Sequence, residues 1–86
     1  MKIKDGYILR EIAGEYVVIP SGEDLDLNLM ITLNETGSFL WKKLTDGATE
    51  EELVKALLAE YDVDETRARN AVAAFIDKLR EHDFLA

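Results

Sequence analysis

The stretch that decides the fold is Leu25-Asp26-Leu27-Asn28-Leu29-Met30-Ile31-Thr32-Leu33-Asn34-Glu35-Thr36-Gly37-Ser38-Phe39-Leu40-Trp41. Its apolar period changes within it. Leu25, Leu27, Leu29, Ile31 and Leu33 alternate with Asp26, Asn28, Met30 and Thr32, which is the period of a half-buried strand over 25–33. From Asn34 onward Gly37, Leu40, Trp41 and Leu44 fall at i, i+3, i+4, i+7, one face of a helix. Asn34 can cap that helix, Glu35 sits favourably in its first turn, and Asp46-Gly47 ends it.

Outward from this junction the pattern stays consistent. On the N-terminal side, Tyr7-Ile8-Leu9-Arg10-Glu11-Ile12 and Glu15-Tyr16-Val17-Val18-Ile19-Pro20 are β-rich runs joined through Ala13-Gly14, a hairpin signature. Pro20 suits a strand end because it lacks a ladder donor. On the C-terminal side, Thr49-Glu50-Glu51-Glu52 reads as a capping box opening a second helix with Leu53, Leu57, Leu58 and Tyr61 on its apolar stripe. Asp64 caps a third helix whose inner face is Ala68, Ala71, Val72, Phe75, Ile76 and Leu79. Trp41, Phe75 and Leu79 are expected to be buried and within mutual reach, with Phe84-Leu85 folding back as an apolar anchor. The reading is one α+β domain over 1–86, a three-stranded antiparallel sheet followed by three helices.

Composition narrows the chemistry. The chain has 86 residues, 48% of them hydrophobic, enough for a small core. It has no cysteine, which excludes a disulfide scaffold and thiolate chemistry. No apolar run approaches the roughly 20 residues of a membrane span, and Met1-Lys2-Ile3-Lys4-Asp5-Gly6 carries no secretory apolar segment, so a cytoplasmic setting is expected. Eighteen acidic residues against ten basic ones give a net charge of −8, which opposes binding to nucleic acid or to an anionic membrane.

No catalytic, metal or cofactor site is expected. His82 is the single histidine and lies where it complements a helix C-terminus. Ser21 and Ser38 lie in no nucleophile motif, and the five glycines are isolated, so no phosphate loop is present. Asp24, Asp26, Asn28 and Glu35 have calcium-loop spacing, but Leu29 occupies the position that needs glycine, and the alternating leucines demand an extended chain. A carrier protein is disfavoured because Ser38 sits in Gly-Ser-Phe rather than an Asp-Ser-Leu arm site. A winged-helix DNA reader would show a basic stripe. The third helix instead balances Arg67, Arg69, Lys78 and Arg80 with Asp64, Glu65, Asp77, Glu81 and Asp83.

Three segments carry a family resemblance over nearly the whole chain. Leu33-Asn34-Glu35-Thr36-Gly37-Ser38-Phe39-Leu40-Trp41 followed by Leu44-Thr45-Asp46-Gly47 is the most specific. Leu53-x-x-x-Leu57-Leu58-x-x-Tyr61-x-Val63, and Val72-x-x-Phe75-Ile76-x-x-Leu79 ending in Phe84-Leu85, follow in order. The chain resembles the PqqD family, named for coenzyme PQQ synthesis protein D. Its fold is also called the recognition element for precursors of ribosomally made, modified peptides (RiPPs). The resemblance implies a winged helix-turn-helix that binds no DNA. It implies a non-catalytic adaptor that holds a precursor's leader peptide as an added strand and presents it to a modifying enzyme. That enzyme could be a radical-SAM enzyme, a lasso-peptide protease or cyclase, or a similar partner.

The residues accommodate such a role. The third strand of a meander ends at an edge, which invites another chain. About 20 Å of edge accepts several main-chain hydrogen bonds, each contributing roughly 0.5–1.5 kcal/mol net, against the cost of ordering the leader. The expected peptide-binding residues are Asp26, Leu27, Asn28, Leu29, Met30, Ile31 and Thr32 on the strand. On the third helix they are Arg67, Asn70, Ala71, Ala74, Phe75 and Lys78. Met30, apolar on the polar face, suits either a peptide contact or a contact in a weak homodimer; the chain is otherwise read as a monomer. The alternatives are a winged-helix DNA-binding regulator and a scaffold subunit that binds only a protein partner.

Overall fold

The computed structural model describes residues 1–20 and 31–86. Its elements are β1 (Tyr7–Ile12), β2 (Glu15–Pro20), β3 (Ile31–Leu33), α1 (Glu35–Thr45), α2 (Glu50–Glu60) and α3 (Glu65–Glu81). The strands form one antiparallel sheet in the order β1-β2-β3. This is the α+β arrangement the sequence predicts. Of the expected third strand, 31–33 is described and extended, and 25–30 lies outside the described residues.

The β1–β2 link is a two-residue turn, since Ile12 pairs with Glu15. Ala13 and Gly14 both adopt positive φ, 53° and 81°, the handedness that matches the twist of a hairpin. Glycine accepts this at no cost, and Ala13 accepts it with strain. In β2, Tyr16, Val17 and Val18 stand opposite Leu33, Thr32 and Ile31. Val18, Ile31 and Leu33 are buried and Thr32 is exposed, which preserves the alternation of the sequence.

Each helix begins on the predicted cap. The Asn34 side chain accepts from the Gly37 amide at 2.7 Å and that of Asp64 from the Arg67 amide at 2.8 Å. Thr49 and Glu52 complete a reciprocal capping box at 3.1 and 3.0 Å. One expectation on α2 needs correction. Leu58 is exposed, and Val54 is buried in its stead. Leu58 lies about 100° around the helix from Leu57, off the stripe that α2 turns inward, whereas Val54 lies one turn back from it. Arg69 ties α2 to α3, bridging Glu51 at 2.6 Å and Glu65 at 2.8 Å. The hydrogen bond and charge of Arg69 hold the Glu51 carboxyl below its ordinary range.

The core joins Val18, Ile31 and Leu33 of the sheet to Leu40, Trp41 and Leu44 of α1, Leu53, Val54 and Leu57 of α2, and Val72, Phe75, Ile76 and Leu79 of α3. Trp41, Phe75 and Leu79 are all buried in this one cluster, as expected. The apolar tail also folds back as expected. Asp83 takes φ 58°, the Asp83 amide donates to Arg80 O and the Phe84 amide donates to Leu79 O, which closes α3 in a Schellman turn. That turn drives Phe84 into the core with no exposure. Its ring meets Tyr7 and Trp41 edge-on at 4.6 and 5.6 Å, and His82 stacks on it at 5.7 Å. Main-chain bonds from Lys4 to Phe84 O and from Ala86 to Lys2 O lock the two chain ends together.

Candidate functional site

β2 is the central strand, so β3 is an edge of the described sheet. Beside it lies a groove of about 530 Å³ lined by Thr32, Leu33, Asn34, Thr36, Gly37, Leu40, Ala71, Ala74, Phe75 and Lys78. Three elements meet there for local reasons. β3 runs straight into α1 through the Asn34 cap. Gly37 allows the first turn of α1 to sit close to the strand, since a Cβ there would stand 3.1 Å from Asn34 Oδ1 and 3.4 Å from Leu33 Cβ. Opposite, α3 presents Ala71, Ala74, Phe75 and Lys78 at three- and four-residue spacing, one stripe of its surface.

The small side chains of Ala71 and Ala74 leave the space of the groove. Phe75 forms its apolar wall and belongs at the same time to the core, with 7% exposure. Lys78 closes one side, its Nζ donating to the main-chain carbonyl of Thr32 at 3.4 Å. The arrangement can accept an extended chain along β3, with side chains entering between β3 and α3. Among the described residues no cluster of histidine and carboxylate groups suits a metal ion. The calcium-like spacing of Asp24, Asp26 and Asn28 lies outside the described residues.

Of the sequence-predicted site residues, the structure brings Thr32, Ala71, Ala74, Phe75 and Lys78 to one groove. Ile31 is buried in the core beside it. Arg67 and Asn70 are exposed and do not line the groove; Arg67 Nε stands 3.7 Å from Asp64 Oδ2 instead. Asp26, Leu27, Asn28, Leu29 and Met30 lie outside the described residues. Sequence reasoning missed the floor of the groove, Asn34, Thr36, Gly37 and Leu40. The available signal was Gly37 itself, a glycine within a helix one turn after the strand.

The family model for coenzyme PQQ synthesis protein D matches residues 15–85. The chain belongs to the PqqD family. The match spans β2 through the Phe84-Leu85 anchor and so covers every wall of the groove. No curated protein matches the chain. Among solved structures, this PqqD-family chain is similar to TbiB1 in complex with the TbiA(beta) leader peptide. Identity is 30% with a TM-score of 0.78, over 99% of this chain and 94% of that one. It also shares the fold of lasso peptide synthetase B1 complexed with the leader peptide, at 22% identity and a TM-score of 0.72, over 96% and 93% of the two chains. No helix among the described residues is long and apolar enough to cross a membrane.

Proposed function

We propose that this protein is a non-catalytic adaptor that binds the leader of a ribosomally made precursor peptide and presents it to a modifying enzyme. The observation that carries this reading is the groove between β3 and α3, which runs beside a sheet edge. An edge strand offers main-chain donors and acceptors, and the adjoining pocket supplies side-chain selectivity; strand addition uses both. The whole-length likeness to TbiB1, a protein seen with a leader peptide, supports the same assignment.

In this reading the leader lies antiparallel to the segment 26–32 and turns alternate side chains toward Ala71, Ala74, Phe75 and Lys78. Arg67 and Asn70 touch the part of the leader that continues past the groove. Thr32 is the strand residue whose carbonyl an α3 side chain reaches. Because N–H and C=O of a strand residue point to one side, its amide is the donor offered to the leader.

The test uses synthetic leader peptides taken from short reading frames that neighbour this protein's gene. Amide shift mapping is expected to show changes at Ile31, Thr32 and Leu33 and along Ala71, Ala74 and Lys78. Thr32→Pro removes the offered donor and is expected to abolish binding, with circular dichroism checking that the fold persists. Shifts confined to α2, with none at β3, would sink strand addition. Retained affinity in a folded Thr32→Pro variant would do the same.

A further inference from the structure

We propose that Lys78 selects a leader carrying an acidic side chain at one fixed position, next to the residue paired with Thr32, where the side chain turns toward α3. This rests on the peptide-binding reading and specifies the chemistry of the peptide.

Among the described residues lining the groove Lys78 is the single charged one, in a chain whose net charge is −8. Elsewhere Lys4 pairs with Asp83 at 2.9 Å, Arg67 with Asp64 at 3.7 Å, and Arg69 with Glu51 and Glu65. Among the described residues Lys78 forms no ion pair. Its side chain's hydrogen bond to the described residues is the long, exposed contact of 3.4 Å to the Thr32 carbonyl. A neutral carbonyl satisfies one of three ammonium donors and none of its charge.

That contact also fixes where the charge stands. A strand added to β3 donates an amide to the Thr32 carbonyl, so it meets the ammonium at the same atom. Lys78 then swings off the carbonyl or shares it, and in both cases its charge stays beside the added strand. Phe75 and Ala74 stand one turn behind it on α3 and line the same groove, and an added strand would cover the ammonium from one side. A carboxylate entering there gains an ion pair in a site drier than the open surface, and an ammonium or guanidinium entering there is repelled. Elsewhere the acidic body of the protein repels acidic residues. The combination yields a distinctive pattern: one acidic position favoured, acids disfavoured at the rest.

The experiment is selection from a displayed library of random peptides on wild type, Lys78→Met and Lys78→Glu, each first checked for fold by circular dichroism. Pools are kept when a synthetic member shifts the amides of Ile31 to Leu33. On wild type, Asp or Glu is expected to be enriched at a single register position and depleted elsewhere. Lys78→Met is expected to erase that enrichment, and Lys78→Glu to replace it with Lys or Arg. For one selected peptide, exchanging its acidic residue for Lys is expected to weaken wild-type binding roughly two- to fivefold, the range of a partly exposed ion pair, and to restore binding to Lys78→Glu. Pools that shift β3 without an acidic position, or whose acidic position survives Lys78→Glu, overturn the proposal and leave strand addition standing. If no selected peptide shifts β3, strand addition fails and the proposal fails with it.

Discussion

The two ends of the sheet-to-helix interface are built to opposite specifications. At the closed end, Phe84 is fully buried, ringed by Tyr7, Trp41 and His82, and the chain ends are stitched over it by main-chain bonds. At the open end, Phe75 has an apolar neighbourhood on one side and a groove of about 530 Å³ on the other, beside an edge of the described sheet. The same residue type, in the same core cluster, serves stability at one end and a surface for a ligand at the other. A small domain has few core side chains, so it can leave one edge open only if the opposite end is sealed firmly.

The comparison is broken most directly by truncating the two phenylalanines. Phe84→Ala leaves an enclosed cavity and is expected to cost about 5 kcal/mol, the upper part of the range for such changes, enough to unfold much of the population. Phe75→Ala opens into the groove, where solvent can enter, and is expected to cost about 3 kcal/mol. Urea titration of both variants checks the order; an equal or reversed cost would show that the groove is not open in solution. Ala74→Trp sharpens the contrast, because it fills the open end alone. It is expected to weaken leader binding by about tenfold or more, ~1.4 kcal/mol, while the urea midpoint stays close to wild type.

Smaller effects fall outside both ends and are expected to leave binding untouched. Ala13→Gly relieves a positive-φ alanine in the hairpin turn and is expected to stabilise by about 0.5–1 kcal/mol, read as a raised melting temperature. Arg69→Gln removes the bridge between α2 and α3 and is expected to lower the melting temperature slightly at neutral pH. The sign of its pH dependence follows from Glu51, whose folded pKa lies below its ordinary 4.5. Such a group stabilises above its unfolded pKa and loses that contribution as pH falls through the folded value. The gap between wild type and Arg69→Gln is therefore expected to narrow on acidification below about pH 4.5. A gap that widened would assign the role of Arg69 to packing rather than charge.

The sequence by itself determined the order and kind of the elements, the helix caps and most of the core. These depend on local signals: a period of two that becomes 3.6 at Asn34, capping side chains at Asn34, Thr49 and Asp64, and an apolar stripe along α3. It also placed half of the groove wall, since Ala71, Ala74, Phe75 and Lys78 are neighbours by helical spacing alone. The sequence reading puts Leu58 on the stripe of α2 and leaves Val54 off it; the two lie one turn apart on the same side of Leu53 and Leu57, and only the packing of α2 settles which turns inward. The floor of the groove needed the tertiary structure. Asn34, Thr36, Gly37 and Leu40 share a helix start, but nothing local says that α3 stops short of covering them. The 3.4 Å reach of Lys78 to the Thr32 carbonyl spans 46 positions of sequence. No periodicity encodes such a contact, because it depends on how the third helix lies across the sheet, a property of the packed core as a whole.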